Sequence, residues 1–521
     1  MRVVHGIGLI VVLSCISTAS SAFDRCDQLL ATPKALQDFV FAKGVRNAPV
    51  KYFDRAKSVR IETGQGPGGL IPHASRDATG RPLIFYSTSF PPTLCRIAIA
   101  TFVVNEIEDA WRPFAEASRR AGQCADSGRP FDTCLVEFGR DLQLRYQARF
   151  AAFDSRRQRL AYEIYLDAAG QIAAHEYGHH LLKHQQKVGA GALARIDAEF
   201  EADFYAMSNA VQSGQIGSAM YYFFKGLADV ESYSKTLKYS DYESGACRAT
   251  NVNDITGVFQ IYPLVVIDAV NGGGRFDSNS PAFLRATAKQ MQSEKPPAPS
   301  SDSCGRLRGA VMREAHEEML RIVTAVADYG DILFVDRRDA GADFALRGPR
   351  VYKLIDRLRS ESSNFRYVRG IAAQIISRLI QRVEFGGTRD ALVRQLDDIL
   401  AGFADDILSG DYGRILKVKG LNVLYETSGA PLGARMAEAK GIFESAVTFL
   451  PESSESWMNL AFIALAHGRC GKAADLSRQS ALYAAKGSED MANEFRDRMD
   501  EAVATNTCER QAKRFLETFT R

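Results

Sequence analysis

Residues Gln171–His184 read QIAAHEYGHHLLKH, and within them His175, Glu176 and His179 spell H-E-x-x-H. Ile172, Ala173, Ala174, Leu181 and Leu182 are good helix formers or apolar core residues, and no proline interrupts the run, so the stretch predicts an α-helix. On a helix, His175 and His179 stand one turn apart on one face, and their imidazoles can grip one Zn²⁺ from the same side. Glu176 is then placed to take a proton from a water on the metal. The chain has eight histidines, and four of them (His175, His179, His180, His184) fall here, a concentration that favours a metal site over scattered surface histidines. His180 and His184 read as outward-facing, or as residues behind the ligands.

Catalytic zinc commonly takes three protein ligands and keeps one position open. The third is expected on the next helical stretch, Ala192–Ala210, ALARIDAEFEADFYAMSNA. Nineteen residues (180 to 198) separate His179 from Glu199, room for a turn at Gly189–Gly191 and a returning helix. Glu199 and Asp203 share a face, being four apart. Glu201 points elsewhere, since two residues turn a helix by about 200°. Glu199 is therefore assigned as the third ligand. Asp203 is assigned as the carboxylate that orients a ligand histidine through its other ring nitrogen.

His175, Glu176 and His179 followed by Glu199, Ala202 and Asp203 (H-E-x-x-H, then E-x-x-A-D) resemble the gluzincin metallopeptidases. The second motif is similar to that of the HtpX and CAAX-prenyl-protease branch; the short spacing is closer to thermolysin-like enzymes. The resemblance covers about residues 160–210. It implies a zincin-like catalytic domain and zinc-dependent endopeptidase activity for the matched positions, and it supplies no transition-state-stabilising His, Tyr or Arg. Tyr221 and Tyr222, in the apolar stretch Ile216–Leu227, are candidates to donate a hydrogen bond to the developing oxyanion; the alternative is that they are core aromatics. His316 is a further unmatched candidate, with a surface histidine as its alternative.

Toward the N-terminus, Met1–Ala22 has one early arginine, an apolar run from Ile7 to Ile16, and small residues ending at Ala22. It reads as a secretory signal peptide, with lipoprotein anchoring at Cys15 a minor alternative because Leu13 suits a lipobox poorly. No later run reaches the roughly 20 apolar residues of a membrane-spanning helix. Without Cys15, eight cysteines remain, an even number that suits disulfides in an exported chain. Proximity favours Cys124–Cys134, Cys247–Cys304 and Cys470–Cys508, leaving Cys26–Cys95. No pair has C-x-x-C spacing, so a cysteine zinc site is not expected. The net charge of +3 and the absence of interleaved aromatic and basic clusters give no argument for nucleic acid or an anionic membrane surface.

Two strands are expected before the metal helix, Ser58–Glu62 and Pro82–Ser87. The second is taken as the sheet edge to which an extended peptide substrate would add. Leu94–Arg120 reads as one long amphipathic helix, and Leu142–Phe153 and Ala161–Asp167 as helices leading into the metal helix. Lys295–Ser301, KPPAPSS, marks the main boundary. Beyond it come successive helices, among them Gly309–Tyr329, Val351–Arg359, Tyr367–Val383, Thr388–Leu408, Ala434–Leu450, Glu455–His467, Lys472–Ala485 and Met491–Thr505. Within 437–485, Trp457, Leu460, Ala461, Ala464, Ala473 and Ala481 fit a tetratricopeptide-like unit, and Ala439, Phe443, Ala446 and Pro451 fit the second half of an earlier one; a plain helical bundle is the alternative.

The expected fold class is mainly α: an α+β zincin-like metallopeptidase domain with a small sheet (23–294), a linker (295–305), and a helical domain with tetratricopeptide-like repeats (306–521). The expected activity is that of an exported, periplasmic or secreted metalloendopeptidase with one Zn²⁺ per chain and a polypeptide substrate. A protein partner would dock on the repeats, and the resemblance points to envelope protein quality control. The rival readings are a non-enzymatic interaction protein with a silent zinc helix, and a zinc hydrolase of a non-peptide bond.

Overall fold

The helix predicted around His175 is the axis of the structure, and it is longer than expected. The structure is a computed structural model. It describes residues 22–28, 30, 32–64, 70–184, 192–213, 215, 219–235, 248–250, 252, 266, 280–293, 306–329, 350, 353–358, 360, 372, 375, 400, 404–425, 430–484 and 489–519. Residues 1–21 of the expected signal peptide, the expected turn at Gly189–Gly191, Cys247, Cys304, the expected linker at 295–301 and most of the helices expected between 351 and 408 lie outside the described residues.

In chain order the first helices are α1 (Pro33–Arg46), α2 (Phe53–Ser58), α3 (Phe90–Glu106), α4 (Trp111–Asp126), α5 (Phe131–Ala151) and α6 (Ser155–Leu181). Next come α7 (Ala192–Gln212), α8 (Ala219–Ser232), α9 (Pro281–Ser293) and α10 (Arg306–Asp328). The C-terminal set is α11 (Ser409–Tyr425), α12 (Leu432–Phe449), α13 (Ser454–Ala466), α14 (Cys470–Leu482), α15 (Glu489–Ala504) and α16 (Cys508–Phe519). The fold is mainly α, with one small sheet among the described residues.

Helix α6 carries the site. It runs for 27 residues, because Asp154 caps its start by accepting from the amides of Arg156 and Arg157, both at 2.9 Å, and nothing breaks it before His175. Ala161–Asp167, expected as a separate helix, is the body of this one. From Ala161 onward α6 is buried on nearly every side, with α1, α3, α7 and α8 packed around it. Its last turn is held by Arg55 of α2, whose Nη1 donates to the Leu181 carbonyl at 2.6 Å, a cation where the helix leaves carbonyls unsatisfied. Two glycines allow close crossings. A Cβ on Gly44 would stand 2.0 Å from the buried ring of Tyr177, and one on Gly178 would stand 3.2 Å from Tyr205 Cδ1 and 3.4 Å from Ala202 Cα. The Gly178 crossing draws α7 onto the face of α6 that bears His175 and His179.

The expected helix Leu94–Arg120 is two helices, and the first is not amphipathic. Every residue from Leu94 to Val103 is buried, as befits a helix that is apolar all round. The break follows from Pro113. In a continuous helix its ring would strike the carbonyl of Asp109, whereas in the first turn of α4 it is tolerated.

The sheet comprises β1 (Arg60–Gly64), β2 (His73–Arg76) and β3 (Pro82–Ser87), in the order β1-β3-β2. β1 runs parallel and β2 antiparallel to β3. Pro82–Ser87 is therefore the central strand, which corrects its expected place at the edge. Its unbroken apolar run, Leu83 to Tyr86, is the signature of a strand covered on both faces. The edge nearest α6 is β2, too short and polar to be read from sequence.

Three disulfides join the expected partners: Cys26–Cys95, Cys124–Cys134 and Cys470–Cys508, with Cα separations of 5.6, 5.8 and 5.8 Å. Cys247–Cys304 falls on residues not described. The apolar core does not divide at 295–305. Met319 and Ile322 of α10, and Ile407 and Ile415, belong to the same cluster as Ile172 and Ala173 of α6. Separate clusters begin at Leu421 and run through α11–α16. The segment before Leu421 is tied to the first cluster where Val50 N–H donates to Ile407 O (2.9 Å), Ser409 N–H donates to Ala48 O (2.9 Å), and Lys51 pairs with Asp406 (2.5 Å). Among the described residues, no helix is long and apolar enough to cross a membrane.

Candidate metal centre

His175 and His179 lie on α6, and Glu199 lies on α7 across the Gly178 crossing. Their donor atoms converge. His175 Nε2 and His179 Nε2 are 3.0 Å apart, His175 Nε2 is 3.2 Å from Glu199 Oε2, and His179 Nε2 is 3.4 Å from Glu199 Oε1. Tetrahedral bonds of about 2.0–2.1 Å would set such donors about 3.3 Å apart. The three residues thus form a group that can hold a metal ion. Two neutral-capable imidazoles and one carboxylate are a donor set that suits zinc.

Behind His175 stands Asp203, wholly buried, with Oδ1 2.8 Å from His175 Nδ1. This leaves Nε2 facing the other donors. A residue that sequence reasoning missed completes the arrangement. Arg248 donates through Nε (3.1 Å) and Nη2 (2.6 Å) to the two oxygens of Asp203. Its guanidinium lies 4.2 Å from the Phe224 ring centroid and its Nη1 is 3.7 Å from Glu199 Oε2. Arg248 sits 45 positions beyond Asp203 in a turn-rich segment, and no local periodicity distinguishes it from the other basic residues.

Glu176 is buried beside the group, its Oε1 4.0 Å from His175 Nε2, and the Ala74 amide of β2 donates to its carboxylate. Burial pushes its carboxyl up to about 7, partly offset by the positive charges of His175 and Arg248. Burial also pulls His179 down to about 3, and the neighbouring His175 adds to this. His175 goes the other way. Burial pulls it down, but the Asp203 charge and the hydrogen bonds to Asp203 and Glu199 outweigh that and push it up to about 10. Glu199 and Asp203 are both held below the usual carboxylate range: burial opposes this, and the cationic partners prevail.

His180 and His184 are both buried, not outward-facing. His180 Nε2 meets the Leu83 carbonyl of β3 at 3.0 Å and so ties the metal helix to the sheet. His184 lies behind His179. Tyr222 packs on Phe102 with its hydroxyl on Asn105, and Tyr221 packs on Tyr222. Neither tyrosine is among the residues brought together with the three donors. His316 is buried on α10.

With Asp203 holding it, His175 keeps its proton through neutral pH when no metal is bound, and a ligand must be deprotonated. Metal binding at pH 7 is expected to release about one proton from His175 and a further fraction from Glu176, whose carboxyl the metal drives to its charged form, with affinity rising as pH rises toward about 10. Calorimetric titration in two buffers of different ionisation enthalpy counts those protons; a count below one would show His175 already neutral.

In comparisons with known proteins, no family model, no curated protein and no solved structure matches this chain.

Proposed function

We propose that this chain is a zinc-dependent hydrolase of peptide bonds, a metalloendopeptidase acting outside the cytoplasm. The observation that carries the reading is the placement of Glu176. A buried carboxyl stands 4.0 Å from His175 Nε2, beside three converging metal donors, and is not one of them. Zinc at this group supplies Lewis acidity toward a carbonyl oxygen and acidifies a water. His175, His179 and Glu199 would hold it. Asp203, clamped by Arg248, fixes the His175 ring so that Nε2 faces the donor atoms of Glu199 and His179. Glu176 takes the proton from the attacking water and returns it to the leaving amine. The Ala74 amide keeps the Glu176 carboxylate aimed at the site, and its strand β2 is the sheet edge along which an extended peptide would lie. The disulfides support an oxidising compartment. The consecutive helix pairs α11–α16 resemble repeat scaffolds that dock partners, in keeping with a role in protein quality control outside the cell interior.

The test incubates the zinc-loaded chain with an unfolded protein and, separately, with small esters and amides, with and without a chelator. Cleavage of the protein that is lost on chelation and restored by zinc is the expected result. Hydrolysis confined to the esters would move the reading to a non-peptide hydrolase. No hydrolysis by a zinc-bound chain would sink the enzyme.

A further inference from the structure

We propose that His184 and Glu201 are positioning residues for the ligand His179, forming with it a directed hydrogen-bond series that aims its Nε2 at the metal. The inference rests on the reading of His175, His179 and Glu199 as a metal centre.

The contacts run in one line. His179 Nδ1 lies 3.0 Å from His184 Nδ1, and His184 Nε2 lies 2.9 Å from Glu201 Oε2. His184 is wholly enclosed, its side chain 2% exposed. A bond between two ring nitrogens needs one hydrogen, and the far ends decide where it sits. Glu201, as a carboxylate, only accepts, so His184 carries its hydrogen on Nε2 and offers a lone pair at Nδ1. His179 must then carry its hydrogen on Nδ1, which leaves the lone pair on Nε2, the atom that faces Glu199 and His175. The opposite direction would put a hydrogen on His179 Nε2 and close it to a metal. The carboxylate at the end of the line therefore selects the ligating tautomer of a histidine that it does not touch.

The backbone is shaped for this contact. On an uninterrupted helix a residue five positions on points about 140° away and could not reach its predecessor. Lys183 adopts a left-handed conformation, φ 59°, directly after the last turn of α6, and so folds His184 back beneath His179. Glu201 reaches the same place from α7, on a side of that helix turned away from Glu199. Each histidine ligand is thus backed by a carboxylate of α7: His175 directly by Asp203, His179 through His184 by Glu201. Such partners fix ring orientation and raise ligand basicity, and their loss costs about 10–100-fold in metal affinity.

The experiment measures zinc affinity of the full chain by competition with a chromophoric chelator, and the visible spectrum of the Co²⁺-loaded chain. The variants are His184→Phe, His184→Gln and Glu201→Ala. Thermal unfolding of each metal-free form accompanies them. Expected are a 10–100-fold loss of affinity with an altered Co²⁺ spectrum in His184→Phe and Glu201→Ala. Affinity within about threefold of the parent is expected in His184→Gln, whose amide oxygen can still accept from His179 Nδ1. Glu201, partly exposed, serves if His184→Phe fails to fold. Parental affinity and spectrum in Glu201→Ala, or equal losses in the Gln and Phe variants, would overturn the inference and leave the metal centre standing. A parent that binds no metal would overturn both.

Discussion

His175→Ala is expected to lower bound zinc from about one per chain to almost none after dialysis. The substitution removes one of three donors and leaves His179 and Glu199 as a two-point site. Structural zinc in zinc-finger peptides binds with about 10–16 kcal/mol, so losing a third of a comparable value is about 3–5 kcal/mol, or a 10²–10⁴-fold weaker affinity. The fold should survive, because Asp203 keeps both oxygens on Arg248 at 3.1 and 2.6 Å and is not left as a lone buried charge. The control is His180→Ala. His180 stands in the same motif, yet its ring faces the Leu83 carbonyl, so that variant should lose about 1 kcal/mol of stability and no zinc. Equal zinc in the parent and His175→Ala would place the metal elsewhere on the chain.

The contrast between these two histidines shows what was legible in the sequence. Local spacing carries helical geometry, so the His175–His179 pair, the returning helix and the i,i+4 relation of Glu199 to Asp203 could all be read before any coordinates. Tertiary proximity carries no such period. Arg248 approaches Asp203 from a segment without helical or strand pattern, and the His184–Glu201 contact depends on a left-handed turn at Lys183, a conformation that lysine does not announce. Sequence singles out Asp203, His184 and Glu201 by type, but neither Arg248 nor the His184–Glu201 pairing. The same limit separates β3 from β2. An apolar run shows that a strand is buried, but which neighbour becomes the edge over the site depends on a four-residue strand, His73–Arg76, with no pattern of its own. The helix break before Pro113 and the all-round burial of α3 have their causes in the residues themselves, a proline inside the helical run and an apolar stretch wider than one face.

Glu176→Gln is expected to abolish hydrolysis, by about 10²–10⁴-fold, while leaving zinc near one per chain. The amide has the shape of the carboxyl and can still accept the Ala74 N–H, but it cannot take a proton from water. The parent should lose activity as pH falls, since only the ionised carboxylate is a base. In the metal-free chain that group titrates at about 7, and a dication beside it favours the charged form, so the acid limb of the loaded enzyme should lie below 7. Stability moves the other way. A carboxyl raised from 4.5 to about 7 contributes stability that is full below its unfolded value and lost as pH rises through about 7. The metal-free Gln variant, always neutral, should therefore match the parent near pH 4 and exceed it at pH 8, by about 1–3 kcal/mol. A variant that is more stable, fully metallated and inactive cannot be explained by misfolding, and would fix the proton transfer on this one carboxylate. Retained hydrolysis in that same protein would transfer the role to another group and leave Glu176 as a buried acid with no chemistry assigned.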